Sequence, residues 1–456
     1  MTQPDQTQHD EPAEPSYGRW PSGDPTQQAS MTPAEQRSAL IRLAVLVVGG
    51  LLVAAWKGVL ATVLVVLAVL VMIMLHELGH YLTAKWGGMK VTEFFVGFGP
   101  RLWSVRKGET EYGVKALPLG GYVKIVGMSN IEHIDNPADE PRTYRQQSFG
   151  RRLSVAVAGS AMHVLIAFVL FVAINGVVGI PRSSLEIGEI SRLQQGRSPA
   201  VEAGFEVGDR IVEVDGRRVS SWEDIPPYIR SNPGQDIDFV VERDGRRLEL
   251  TARPVDLSDR QLFGRLAVDE PRGFIGIGPD IELVKEGPLS SIGLAARQIV
   301  GGDFGSNDDQ VAPGLIDNAK ALAGVFSPAG VSSYWKTLTG EPQPDQPDGG
   351  TRFLSPVGLT RVASEAADTG IYSVLVLLIA INLFVGLFNM LPLLPLDGGH
   401  VAIAVYEWVR TKMQGGRRYY ADVAKMLPLA YAVVALIVFL GVSALYLDIA
   451  RPLDIP

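Results

Sequence analysis

The sequence lacks cysteine altogether. Disulfide frameworks, thiolate metal sites and cysteine nucleophiles are therefore excluded, since each of them needs a thiol. An excess of positive charge is also lacking, and the net charge of −8 argues against a nucleic-acid-binding protein, because neutralising phosphates takes clustered basic side chains. Charged residues make up only 20% of the chain and hydrophobic residues 47%, which indicates a membrane protein with a sizeable aqueous part.

Long apolar runs follow a polar N-terminal tail. Residues 1–39 are rich in Pro, Gln, Asp and Ser and carry six acidic side chains against two basic ones, so this tail is predicted to be disordered. Four later runs contain no Asp, Glu, Lys or Arg and approach the roughly 20 residues that cross a bilayer. These runs are Gly58–Leu75, Leu153–Ile180, Ile371–Leu396 and Leu427–Leu447.

A fifth apolar run, Leu40–Trp56, is short and carries Arg42. Only Lys57 separates it from the next run, so it forms either a tight helical hairpin with that run or the start of one long helix. The hairpin would place the N-terminal tail in the cytoplasm, and the long helix would place it outside.

The distribution of basic residues sets the expected orientation. Residues 85–152 contain eleven Lys and Arg side chains and residues 398–426 contain five. Under the positive-inside rule both segments are cytoplasmic, and residues 181–370 lie outside.

The sharpest chemical signal is the segment His76-Glu77-Leu78-Gly79-His80, which ends an uncharged run. Side chains four residues apart share one face of a helix, so both imidazoles can bind one metal ion. Glu77 lies beside them, where a carboxylate can take a proton from a water molecule at the metal. Ionisable groups inside a span are costly and are usually functional, which favours a metal site over incidental histidines.

A catalytic zinc site needs a third protein ligand, and Asp397 is the best candidate. It ends another apolar run, after Pro392 and Pro395, which break the helix and free backbone groups that must line protein or water. Both the histidine-bearing run and this one end on the same predicted side of the membrane. The alternative for Asp397 taken alone is an ordinary helix-terminal aspartate.

Together these motifs resemble the site-2 protease family of intramembrane zinc metalloproteases, in its bacterial branch with an extracytoplasmic PDZ domain. The resemblance implies one Zn²⁺ per chain held by His76, His80 and Asp397, with Glu77 as the general base. It implies substrate contacts by Asn389, upstream of the Leu-Asp-Gly motif, and by Gly97-Phe98-Gly99 in a re-entrant β-hairpin. The implied substrates are single-span membrane proteins of the anti-sigma-factor type, already shortened outside by a site-1-type protease.

The expected fold is therefore a polytopic α-helical membrane protein of the cell membrane, with four core transmembrane helices, an extra N-terminal one, a re-entrant β-hairpin and an extracytoplasmic α+β PDZ-like domain. Residues 198–216 and the strand pairs around Asp215-Gly216 and Asp244-Gly245 carry the PDZ resemblance. The predicted segments are a disordered acidic tail (1–39), an extra transmembrane segment (40–57), a transmembrane helix with the histidine motif (58–82), a cytoplasmic or re-entrant β-hairpin loop (83–152), a transmembrane helix (153–180), the PDZ-like domain (184–255), an extracytoplasmic linker and amphipathic segment (256–370), a transmembrane helix with Leu-Asp-Gly (371–397), a cytoplasmic loop (398–426) and a transmembrane helix (427–447).

Two alternatives of other classes remain open at this point. A metal or proton transporter would use the intramembrane His/Asp cluster as a relay, although it would need neither Glu77 nor the aqueous domain. A catalytically silent scaffold would not need to keep Glu77 and Asp397. His163 departs from the family's Gly-Pro-x-x-Asn-like motif, and a histidine hydrogen-bonded between helices is favoured there over a metal ligand. His400 is interpreted as a structural residue beside the site.

Overall fold

A computed structural model describes residues 31–128, 132, 134, 136–192, 198–258, 270–301, 311–341 and 353–450. Residues 1–30 of the tail predicted to be disordered lie outside these residues, but the prediction is wrong for residues 33–39, which form the first turns of a helix that Thr32 and Glu35 cap. Among the described residues, five helices are long and apolar enough to cross a membrane. The prediction of a multi-pass membrane protein agrees with this set, which comprises Pro33–Trp56, Leu60–Trp86, Phe149–Val178, Ile371–Asn389 and Val423–Ala450.

The elements follow one another in a helix–sheet–helix–sheet–helix order. The helices are α1 (Pro33–Trp56), α2 (Leu60–Trp86), α3 (Phe149–Ala173), α4 (Pro199–Glu202), α5 (Ile225–Ser231), α6 (Pro288–Val300), α7 (Leu315–Val325), α8 (Pro328–Thr339), α9 (Pro356–Thr369), α10 (Ile371–Asn389), α11 (Asp397–Met413) and α12 (Leu427–Ala450). The strands are β1 (Val91–Lys107), β2 (Thr110–Ile125), β3 (Ile180–Ile190), β4 (Arg210–Val214), β5 (Arg217–Arg218), β6 (Ile237–Arg243), β7 (Arg246–Ala252), β8 (Val255–Asp256), β9 (Gly273–Phe274) and β10 (Ile277–Val284).

The N-terminal apolar run forms a separate helix, α1, which folds back along α2. The chain breaks at Lys57 and at Gly58, whose φ of 72° suits a glycine turn. The first half of α1 lies beside Arg101 and Leu102 of β1, and β1 also packs against the last turns of α2, where the rings of Phe94 and Tyr81 are 5.4 Å apart. The two helices are therefore antiparallel, which agrees with the hairpin alternative and not with one long helix.

Strands β1 and β2 form a β-hairpin within the segment 83–152, where one was expected, and each of them bends and pairs twice. Residues 93–96 of β1 pair with residues 121–124 and also with residues 111–114 of β2. The second half of β1 then pairs with the first half of β2. As a result, the segment 121–125 forms one side of this sheet, and it lies against α2, where Gly121 abuts Met74.

The aqueous part is built on a sheet in the order β10-β3-β4-β6-β7, with β5 paired to β4. The two predicted hairpins around Asp215-Gly216 and Asp244-Gly245 are present as β4–β5 and β6–β7. Buried apolar side chains from Ile187 to Ile275 form its core. The sheet therefore includes β10, beyond the segment 184–255 predicted from the sequence.

The run predicted as one transmembrane helix over residues 371–397 is divided in the structure. Helix α10 ends at Asn389, and residues 390–396 have no regular helix, because Pro392 and Pro395 cannot continue the hydrogen-bond ladder. Asp397 is the first residue of a new helix, α11, rather than the last of the span. Much of the predicted cytoplasmic loop 398–426 is accordingly helical.

Candidate metal centre

Three metal-ligating side chains converge at the junction of α2 and α11. His76 and His80 lie one turn apart on α2, and both are buried. Their Nε2 atoms are 3.2 Å apart. Oδ2 of Asp397 lies 3.2 Å from Nε2 of His76 and 3.3 Å from Nε2 of His80. The structure thus brings together the three residues that the sequence predicted as ligands, from positions more than 300 residues apart.

The donor triangle has the size that a zinc ion requires. A tetrahedral zinc ion with bonds of about 2.0–2.1 Å has donor atoms roughly 3.3 Å apart, and two imidazoles with one carboxylate match the donor set of catalytic zinc sites. Nδ1 of His80 lies 2.7 Å from the carbonyl oxygen of Val155. Donation of Nδ1–H to this carbonyl leaves the Nε2 lone pair free for a metal.

Helix α3 reaches this site because glycines replace side chains at the contact. A Cβ atom on Gly79 would lie 2.6 Å from the carbonyl oxygen of Ala158. A Cβ atom on Gly159 would lie 2.4 Å from Cε1 of His76 and 2.5 Å from Nε2 of His80. Gly159 therefore leaves the space in which a metal and its ligands fit, as small residues at helix interfaces in membranes allow.

Glu77 stands at the edge of the same group. Its carboxylate interacts with His76, His80 and Asp397 and with the backbone of Val123 in β2. It is partly exposed, whereas the two histidines are buried. The carboxylate of Glu77 is close to the three converging side chains but contributes none of the three converging ligand atoms. A group that transfers a proton beside a metal needs such a position.

The predicted substrate-binding residues lie on α10 and β1 and are not part of the group of three converging side chains. Asn389 is the last residue of α10, partly buried. Gly97 and Gly99 have φ angles of 81° and 82° and form the bend of β1, packed against Leu117. Phe98, between them, is 44% exposed and stacks on Tyr122 of β2 at 6.0 Å.

His163 is held between two helices, in agreement with the interpretation favoured from the sequence. Its Nδ1 lies 2.8 Å from Oδ1 of Asn382 on α10, and its ring centroid is 5.1 Å from that of His76. The amide nitrogen of Asn382 donates to the carbonyl oxygen of Leu378, which orients Oδ1 toward the imidazole. Neither His163 nor His400 joins the converging group of the described residues.

A buried stripe on α3 connects these features, and most of it was missed from the sequence. Arg152, Val155, Gly159 and His163 recur at helical spacing and are all buried. Arg152 contacts α11, Val155 contacts His80, Gly159 lies against the imidazoles of His76 and His80, and His163 contacts α10. The only signal in the sequence was the small-residue segment before His163, because a backbone carbonyl and a missing side chain leave no chemical signature.

Comparisons with known proteins find related zinc metalloproteases. A family model described as peptidase family M50 matches residues 64–435. The zinc metalloprotease Rip1 of Mycobacterium tuberculosis is 34% identical over 418 residues, which cover 86% of this chain and 97% of that protein. The protein of the same name from Mycolicibacterium smegmatis is 32% identical over 86% of this chain and 98% of its own length. A putative zinc metalloprotease of Clostridium acetobutylicum is 29% identical over 77% of this chain and 88% of that protein.

Proposed function

The chain belongs to peptidase family M50, the site-2 protease family of zinc metalloproteases, and from this membership we propose that it hydrolyses peptide bonds within or near the transmembrane segments of single-span membrane proteins. The observation that supports this most directly is the convergence of three ligands beside Glu77, at the end of an apolar helix. A transporter would have no use for Glu77 at this position.

We propose distinct roles for the residues of the centre. His76, His80 and Asp397 hold the zinc ion, which when bound polarises the substrate carbonyl and lowers the pKa of water. The carboxylate of Glu77 accepts a proton from the attacking water and passes it to the amine of the leaving peptide. The hydrogen bond from Nδ1 of His80 to Val155 keeps that imidazole in the tautomer that a ligand needs.

The substrate would bind as an extended strand beside residues 121–125 of β2. The backbone of this segment faces Glu77 at Val123, so a peptide paired along it would present its carbonyls to the centre. Pairing as a strand also unwinds a helical substrate, whose peptide bonds are otherwise shielded by their own turns. Phe98 and Tyr122 offer a stacked aromatic surface for substrate side chains, and Asn389 is proposed to hold the substrate from the other side.

The aqueous domain is proposed to be a PDZ-like, extracytoplasmic module. Strand β3 pairs with β10 along one edge, and on its other edge it meets β4 at Glu186. A groove of about 460 Å³ runs between the first residues of β3 and Ser220, Ser221 and Glu223. A groove bounded by a strand edge suits an extended peptide, which favours peptide binding over a purely steric gate.

The proposed physiological substrates are anti-sigma-factor-type proteins or signal-peptide remnants that an upstream site-1-type protease has shortened outside. This substrate class rests on the family resemblance. The aqueous domain fits it, because a groove that accepts peptide ends would sample the outer stump of a shortened substrate before the span reaches the zinc site.

Cleavage of a tagged single-span substrate, short on its outer side, tests the proposal in detergent. We expect Glu77→Gln to lower kcat by about 10²–10⁴-fold while it retains zinc, since only proton transfer is removed. Glu249→Gln, an exposed position on β7, is the matched control and should cleave as the wild type does. Equal cleavage by Glu77→Gln would show that Glu77 is not the base, and no cleavage by the zinc-loaded wild type on several substrates would contradict the proposed reaction.

A further inference from the structure

A buried ion pair joins α11, the helix that begins with Asp397, to α3. Nη1 of Arg152 lies 2.5 Å from Oε2 of Glu407, and the two side chains are 9% and 2% exposed. The guanidinium of Arg152 also lies over the ring of Tyr144 at 5.1 Å. Oε1 of Glu407 accepts a hydrogen bond from the backbone N–H of Ala421, at 2.6 Å, in the segment that returns after α11.

Such a pair is poorly explained as a source of stability. Removing two charges from water is costly, and well-packed apolar residues of similar volume often give equal or greater stability. What the buried pair does fix is the rotation and height of one helix against the other, because each side chain is also held from a second direction, Glu407 by the N–H of Ala421 and Arg152 by the ring of Tyr144.

The pair lies where the position of α11 against α3 affects the metal centre. Arg152 lies two turns before Gly159 on the same face of α3. One surface of α3 therefore contacts both the histidines of α2 and the helix α11, which begins with Asp397. The segment 390–396 that precedes α11 has no regular helix, so no continuous helix carries the direction of α10 into α11. Glu407 lies ten residues after Asp397, or roughly 15 Å along the same uninterrupted helix.

We propose that the Arg152–Glu407 pair is a positioning device for the metal centre. It holds α11 against α3 and thereby sets the location of the Asp397 carboxylate relative to His76 and His80. The inference rests on the proposed assignment of Asp397 as the third ligand, and it assigns to both members of the pair a role in metal affinity and reaction rate without any contact with zinc or substrate.

Zinc affinity of the full-length protein in detergent, measured by competition with a chromogenic chelator, tests this role. We expect Glu407→Gln and Arg152→Met to raise the Kd for zinc by about 10–100-fold, the size of effect seen when groups that orient ligands are lost. The absorption spectrum of the Co²⁺-substituted protein should change, and kcat should fall with little change in KM. Asp422→Asn, which removes the exposed pair with Lys425, is the matched control and should leave all three readouts unchanged.

A double variant separates positioning from folding, because a single variant leaves an unpaired buried charge and can fail to fold. Arg152→Met combined with Glu407→Met should restore the melting temperature of the metal-free protein yet keep the weakened zinc affinity and the altered Co²⁺ spectrum. A folded double variant with wild-type zinc Kd and Co²⁺ spectrum would overturn the proposal. Wild-type zinc affinity in Asp397→Asn would overturn its premise as well. Absence of peptide cleavage by the wild type would contradict the proposed function alone, since the zinc Kd is read independently of cleavage.

Discussion

At the scale of single residues, Gly159 determines how closely α3 approaches the paired histidines. His80 cannot swing away freely, because its Nδ1 is bonded to Val155 on α3 itself. Space at this position is therefore a requirement for the site and not a by-product of packing, and the same holds on the opposite helix for Gly79, which abuts the carbonyl oxygen of Ala158.

We expect Gly159→Ala to weaken zinc binding at least about 10-fold, because its Cβ would occupy space within 2.4–2.6 Å of His76 and His80 atoms. The substitution should not weaken helix α3 itself, since Ala favours a helix over Gly by about 1 kcal/mol. The measurement is the zinc Kd together with the melting temperature. Gly150→Ala, on the same helix with no atom within 4 Å of its added Cβ, serves as control. Equal zinc affinity in both variants would contradict the steric argument.

At the scale of elements, ionic contacts tie the turn between β1 and β2 to its neighbours. Glu109 accepts two hydrogen bonds of 2.8 Å from Arg142 and one of 2.6 Å from Lys85, the last basic residue of α2. The bonds from Arg142 and Lys85 lower the pKa of Glu109 to about 2. This anchors the sheet to the end of the helix that carries the histidines.

A pH dependence of stability follows from this depressed pKa. A carboxylate whose pKa is lower in the folded protein stabilises it above its ordinary pKa, and the stabilisation is lost as the pH falls from about 4.5 toward 2. Glu109→Gln should therefore lower the melting temperature at pH 7. The corresponding loss in the free energy of unfolding is no more than about 1 kcal/mol, because solvent screens the group. Thermal unfolding of both proteins between pH 7 and pH 3.5 should show the difference narrowing on acidification. A difference that stays constant would contradict the assignment.

A second anchor attaches the amphipathic helix α9 to the last span, α12. Oδ2 of Asp448, a residue only 1% exposed, accepts hydrogen bonds from the backbone N–H groups of Ser355 and Gly358, at 2.7 and 3.1 Å. Arg361 in turn donates to the carbonyl oxygen of Asp448. The N–H groups at the start of α9 are thus satisfied jointly by the capping side chain of Ser355 and by the carboxylate of a neighbouring helix.

Removal of this carboxylate should destabilise the bundle. We expect Asp448→Ala to lower the free energy of unfolding by about 1–3 kcal/mol, because the buried N–H of Ser355 loses its acceptor and that of Gly358 keeps only Oγ of Ser355. The check is thermal unfolding in detergent. Asp422→Ala, which removes an exposed carboxylate in the segment before α12, should change it by less than about 0.5 kcal/mol. Similar melting temperatures for the two variants would rule out the anchor.

At the scale of the whole molecule, the antiparallel packing of α1 and α2 fixes which ends of the spans lie together. The start of α1, the β1–β2 sheet and the end of α2 are neighbours, and they carry the basic loops proposed to be cytoplasmic. Helix α3 begins after the β1–β2 sheet, and the aqueous sheet from β3 to β10 follows the C-terminal end of α3.

The absence of native cysteine makes this orientation directly measurable. Single cysteines at Ala34 and Gln414 should be labelled by a membrane-impermeant maleimide from one side of the membrane, and a cysteine at Arg246 should be labelled from the other. All three positions are exposed, and the unsubstituted protein gives the background. Labelling of positions 34 and 246 from the same side would contradict the hairpin arrangement of α1.

Local sequence determined much of the secondary structure of this protein and part of its metal centre. Apolar run length predicted the spans, and the spacing of His76 and His80 predicted a shared helix face, because each depends on residues close together in the chain. Tertiary structure alone decided that Asp397 begins a separate helix and that β10 completes the aqueous sheet. It also decided that one stripe of α3 supports both halves of the metal centre. These features arise from packing between segments that are distant in the chain. The role of a missing Cβ, a backbone carbonyl or the buried Arg152–Glu407 pair depends on the residues that it contacts, which the local sequence does not show.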